Sequence, residues 1–184
     1  MKLSLSVAVG NYDRTRALID GRVQIDGVSP VFMTLSPEEM FFRAFRHADF
    51  DVTELSLASH AVSLANGTNQ YLALPIFLSR AFRHSSIYVT RQSSIQNPKQ
   101  LMGKRIGIAE YQLTANVWAR ALLEDDFGIS PSEICWVRGG MDEPARPEKL
   151  HLELPSDLTV ETAGKGETLN QLLIDGKIDG FIGP

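Results

Sequence analysis

Residues 103–140, GKRIGIAEYQLTANVWARALLEDDFGISPSEICWVRGG, read as strand, tight loop, helix, turn and strand, and this unit constrains the rest of the chain. KRIGIA is a short apolar run that suits a buried parallel strand. Leu113, Val117, Leu122 and Leu123 then recur at helical spacing. Thr114 is placed to cap that helix with its hydroxyl, and Gly128 to end it in the left-handed conformation. CWVRG supplies the following strand. In open α/β sheets the loop from a strand's carboxyl end to a helix N-terminus is the ligand edge, and the helix dipole there favours an anion. A small anion near Glu110, Tyr111, Gln112 and Thr114 is one reading; an ordinary βαβ unit is the other.

Other segments repeat the alternation. Strand signals fall at 3–9, 28–35, 49–57, 71–78 and 86–90, and the chain closes on KIDGFIGP as a last strand. Asn11 or Asp13 is expected to cap the first helix, with Gly21 near its end. Ser36, Pro37 and Glu39 give the second helix a cap, a first-turn proline and a capping box. ETLNQLLIDG is a short amphipathic helix closed by Gly176. Residues 141–166 hold three prolines and read mostly as loop. Strands alternating with helices define an α/β protein with largely parallel sheets.

The chain has 184 residues and a net charge of −4 without a long basic run, which argues against nucleic acid or an anionic membrane as partner. A single cysteine, Cys135, allows no internal disulfide and reads as a buried small hydrophobe. No segment is long enough to span a membrane. Leu3, Leu5, Val7 and Val9 alternate with smaller residues as in a strand, and no small-residue cleavage site follows. The protein is therefore read as cytoplasmic.

GNYDRTRAL at 10–18, DVTELSLAS at 51–59, LPIFLSRAFRHSSIYV at 74–89, LMGKRIGIAEYQLTANVWARALLEDDFGI at 101–129, WVRGG at 136–140 and the closing TLNQLLIDGKIDGFIGP together resemble the 4,5-dihydroxyphthalate decarboxylases. That family looks like the type 2 periplasmic solute-binding proteins. The resemblance implies a two-lobed α/β fold with the ligand in the cleft and a first lobe built from both ends of the chain. Residues 1–84 would begin lobe one, 85–180 would form lobe two, and 181–184 would start the return crossover, leaving the first lobe truncated. One departure is Ala121, where the family has glycine after the arginine.

The implied substrate is a catechol with two adjacent carboxylates, which places the chain in phthalate degradation. Its decarboxylation needs cations for the carboxylates, a base for a phenol and an acid for the ring carbon. Arg80 and Arg83 are the expected carboxylate clamp, since a guanidinium fork matches a carboxylate. His84 is the acid–base candidate. Glu54, at a strand's carboxyl end, takes the phenol proton or orients His84. Tyr111 and Thr114 contact the ligand at the helix start. Trp118 stacks on the ring or packs in the core. Tyr12 and Arg14, after the first strand, complete the set. No cofactor is expected; the four histidines lack close ligand spacing, and a divalent metal stays open only because some aromatic decarboxylases use one. A small aromatic carboxylate is the expected partner, with homo-oligomerisation open. The competing readings are a solute-binding protein for a small anion or aromatic acid in an ABC-type uptake or sensing system, and an inactive remnant.

Overall fold

The computed structural model describes residues 1–183, and the chain divides at Arg80 into two α/β units. In the first, β1 (Leu3–Val9), α1 (Asp13–Ile19), β2 (Val28–Thr34), α2 (Pro37–His47), β3 (Val52–Thr53) and α3 (Leu57–Ala65) follow one another. Their sheet has the order β2-β1-β3, and both pairings are parallel. Ala8 of β1, Met40 and Ala44 of α2, and Phe50 form its core. Ser36 caps α2 by accepting from Glu39 N–H at 3.3 Å, and Pro37 opens it, as the sequence predicts. The N-cap of α1 is Tyr12, without a side-chain cap bond, rather than Asn11 or Asp13.

The strand expected at 71–78 does not form. These residues are irregular, and Leu72, Leu74, Ile76 and Phe77 are exposed. An apolar run becomes a strand only beside a partner for its N–H and C=O groups, and neither β2 nor β3 pairs with it. Pro75 lacks a donor as well. Tyr71 ties the segment inward, donating its hydroxyl to Phe50 O at 3.0 Å.

The second unit carries β4 (Ile87–Tyr88), β5 (Arg105–Ile108), α4 (Thr114–Phe127), β6 (Cys135–Arg138), β7 (Val160–Thr162), α5 (Leu169–Ile174) and β8 (Gly180–Ile182). Its sheet order is β4-β8-β5-β6-β7, parallel except for β4 against β8. The sheet is buried on both faces. Ile106, Ile108 and Trp136 pack with Ala119 and Leu123 of α4 on one side; Val137 packs with Leu169 and Leu172 of α5 on the other. A Cβ on Gly107 would stand 2.9 Å from Leu169 Cδ2, so this glycine admits α5 to the sheet.

The expected boundary after His84 falls earlier, after Arg80, so that His84 already belongs to the second unit. His84 pairs with Asp126 of α4, and Ser86 O accepts from Gly183 N–H at 3.0 Å. Residues 181 and 182, expected as crossover, lie within β8 at the interior of the sheet. Pro184, the end of that expected segment, lies outside the described residues. Leu113 rather than Thr114 is the N-cap of α4, and Thr114 is its first helical residue. Gly128 does end the helix in the left-handed region, at φ +69°. The buried face of α4 is Ala115, Asn116, Ala119, Arg120 and Leu123; of the stripe of Leu113, Val117, Leu122 and Leu123 that spacing suggested, Leu123 lies on it and the others do not. Among the described residues no helix is long and apolar enough to cross a membrane.

Candidate functional site

Each unit gathers polar side chains at the carboxyl ends of its parallel strands, the edge at which such sheets meet ligands. In the first unit, Gly10 follows β1 and Glu54 follows β3. The Glu54 carboxylate accepts from Gly10 N–H at 3.2 Å and from the Tyr12 hydroxyl at 3.0 Å. The Arg14 guanidinium lies over the Tyr12 ring, 4.3 Å from its centroid, and its Nε donates to Leu78 O. Burial pushes the Tyr12 phenol above its ordinary range, and the bond to Glu54 adds to the effect. Three expected site residues, Tyr12, Arg14 and Glu54, are thus in contact. Arg80 belongs to the same unit but stands exposed, over the Phe77 ring at 5.8 Å.

In the second unit, Glu110 and Gln112 lie in the loop from β5 to α4. Glu110 Oε2 meets Lys149 Nζ at 2.9 Å, with both side chains less than a tenth exposed. Gln112 Nε2 donates to the same carboxylate oxygen at 3.3 Å, and Asn116 Nδ2 donates to Glu110 O at 2.6 Å. These glutamate oxygens only accept, so both amides must present nitrogen to them. Their own oxygens, Gln112 Oε1 and Asn116 Oδ1, are consequently enclosed without a protein partner. Arg138, the last residue of β6, sits 3.0 Å from Glu148 Oε1.

Tyr111 is half-buried beside this cluster. Its ring meets Trp136 edge-on at 6.2 Å and carries the Arg120 guanidinium at 3.7 Å. Burial raises its phenol above the ordinary range. Thr114 is half-buried at the start of α4, and Trp118 is exposed, which disposes of core packing for that ring. His84 is stacked on Phe82 at 4.4 Å, with Nε2 3.3 Å from Asp126 Oδ2. Asp126 lies in the last turn of α4, about 18 Å along the helix from Thr114. The structure therefore does not bring His84 to Tyr111 and Thr114. Arg83, expected beside Arg80 as a clamp, falls in the second unit. Among the described residues no three His, Cys, Asp or Glu side chains gather as a metal-ligand set.

Sequence reasoning missed Asn116, Arg120, Arg138 and Lys149. Asn116 and Arg120 carried a legible signal, since polar residues one helical turn apart shared a face with Ala119 and Leu123. Lys149 carried none, because it arrives from a proline-rich loop far along the chain.

These features define an α/β protein with polar side chains gathered at the carboxyl ends of its parallel strands. The chain belongs to the 4,5-dihydroxyphthalate decarboxylase family. It is 60% identical over 183 residues to a protein of that name from Comamonas testosteroni and 57% identical over 183 residues to one from Pseudomonas putida. Each match covers 100% of this chain, with 56% of the first relative and 71% of the second. The chain thus spans little more than half the length of the Comamonas protein. No protein-family model matches it.

Proposed function

We propose that this chain serves the decarboxylation of 4,5-dihydroxyphthalate, a carboxy-lyase reaction. The carrying observation is its identity of 57–60% across its whole length to two proteins named for that activity. Ionisation of the phenol para to the departing carboxylate pushes electrons to the ipso carbon. That carbon takes a proton, its bond to the carboxylate breaks, and carbon dioxide leaves with 3,4-dihydroxybenzoate as product. Proton uptake at carbon balances the lost carboxyl group, and repulsion between adjacent carboxylates is relieved.

Glu54 is the proposed base for the phenol, oriented by Tyr12 and Gly10, and this contact set is what supports the assignment. His84 is the proposed acid for the ring carbon, a role that requires it to leave Asp126 and approach the start of α4. Arg14, Arg80 and Arg83 are proposed for the carboxylates, with Tyr111, Thr114 and Trp118 as further ligand contacts. We propose also that the two units correspond to the lobes of a type 2 periplasmic-binding-protein-like fold, a reading supported by their separate parallel sheets. A cytoplasmic location belongs to the same reading.

The test is carbon dioxide release from 4,5-dihydroxyphthalate. It is measured for the purified chain and for a chimera in which residues 1–183 replace the matched segment of the Pseudomonas relative, with and without chelator. Turnover by the chimera supports the reading. A chimera that binds the substrate but releases no carbon dioxide rejects it in favour of a binding protein.

A further inference from the structure

Arg120 is a buried cation of the second unit with no carboxylate partner among the described residues. The residue is 8% exposed, and its guanidinium lies 3.7 Å over the Tyr111 ring and 5.8 Å from the Trp136 ring. Its one hydrogen bond among the described residues runs from Nη1 to Tyr111 O at 2.8 Å. No carboxylate of the described residues pairs with it. Burial pulls its pKa down from the ordinary arginine value, and the only charge effect on it comes from Tyr111. Asp157 and Glu124 act on the Tyr111 hydroxyl rather than on the guanidinium.

Its position sharpens the imbalance. Helical side chains lean toward the helix N-terminus, and the bond to Tyr111 O brings this one back to the loop before α4. A cation is thus held at the positive end of a helix dipole, where anions are favoured and cations are not. The neighbouring Glu110–Lys149 pair is internally neutral and offers no relief. Two aromatic faces offset part of the cost of burial. Nε and Nη2 donate to no described residue, and neither is among the fully enclosed unpaired atoms.

We infer that Arg120 is a carboxylate-binding residue of the second unit, further to those proposed above, its Nε–Nη2 edge receiving one carboxylate of an aromatic acid at the start of α4. The choice of aromatic acid rests on the decarboxylase reading; the need for an anion rests on the structure alone. Tyr111 and Trp136 both lie against the guanidinium and restrict where its fork can turn. A lysine would keep the charge but lose the two-point contact.

The experiment measures phthalate binding to the folded chain by calorimetry, with benzoate and catechol as probes of the carboxylate and hydroxyl contributions. Phthalate and benzoate are expected to bind and catechol to bind much more weakly. Arg120→Gln should weaken phthalate about tenfold or more, and Arg120→Lys by less. Since loss of the buried side chain threatens folding, the ¹⁵Nε–¹H resonance of Arg120 in the unsubstituted protein gives a second readout and should shift on adding phthalate. An unmoved resonance, or Arg120→Gln binding phthalate within about twofold of the parent, overturns the inference. If phthalate engages Arg120 while the chimera described above releases no carbon dioxide, the decarboxylase reading fails and the anion site stands. Turnover by the chimera with phthalate binding indifferent to Arg120 gives the reverse.

Discussion

Nζ of Lys149 lies 2.9 Å from Oε2 of Glu110, with the lysine side chain 6% exposed and the glutamate side chain 9% exposed. The pair joins the loop after β5 to the proline-rich stretch that follows β6. Together with the contacts of Arg138 to Glu148 and Arg146 O, it ties that irregular segment to the sheet. Removing one partner would strand the other charge away from water.

Glu110→Gln and Lys149→Met are each expected to destabilise the second unit by about 3–5 kcal/mol, and the double variant by much less than their sum. Chemical denaturation of the four proteins in a double-mutant cycle gives the coupling. Additive losses would show that the pair contributes nothing as a pair.

Gly140 should tolerate no side chain. A Cβ there would stand 1.9 Å from Glu143 O, a backbone atom that cannot swing aside. Gly140→Ala is expected to cost at least about 1–3 kcal/mol and to loosen the loop that delivers Lys149. At Gly128 a Cβ would meet open space but sit at φ +69°, so Gly128→Ala should cost about 1–2 kcal/mol. Denaturation midpoints rank the two, and Gly140→Ala should also raise hydrogen exchange across 141–150.

Stability should fall in alkali. Tyr12, Tyr71 and Tyr111 all have phenols raised above the ordinary value, chiefly by burial. A raised folded pKa favours the protonated form in the native state. The stabilisation is therefore complete below the unfolded pKa of about 10 and is lost as pH rises through the folded values. Unfolding free energy measured from pH 8 upward should decline, and Tyr111→Phe should flatten that decline. An unchanged slope in all three Tyr→Phe variants would refute the assignment.

The Glu54 contact set predicts a split in kinetics. In the chimera, Glu54→Gln should lower kcat by about 10²–10⁴ with a smaller effect on KM, the range for loss of a general base. Tyr12→Phe removes one hydrogen bond to that carboxylate and should lower kcat less. If Glu54→Gln changes KM alone, the glutamate binds substrate and does no proton transfer.

Much of the frame was decided locally. The Ser36–Pro37 start of α2 and the left-handed Gly128 after α4 each follow from short-range sterics and hydrogen bonding, and the sequence by itself determined them. The α/β class follows too, since strands and helices that alternate bury their apolar faces only by layering. Tertiary structure decided the rest. Residues 71–78 have a strand's composition but no neighbouring strand to pair with. The rotation of α4, which turns Asn116 and Arg120 inward and Trp118 outward, was set by packing on Ile106, Ile108 and Trp136 rather than by its own pattern. Lys149 met Glu110 across 39 positions of sequence, a contact that no local periodicity encodes. Its partner is chosen by which loops the sheet order brings to one edge, because a buried charge accepts only a neighbour the fold has already delivered.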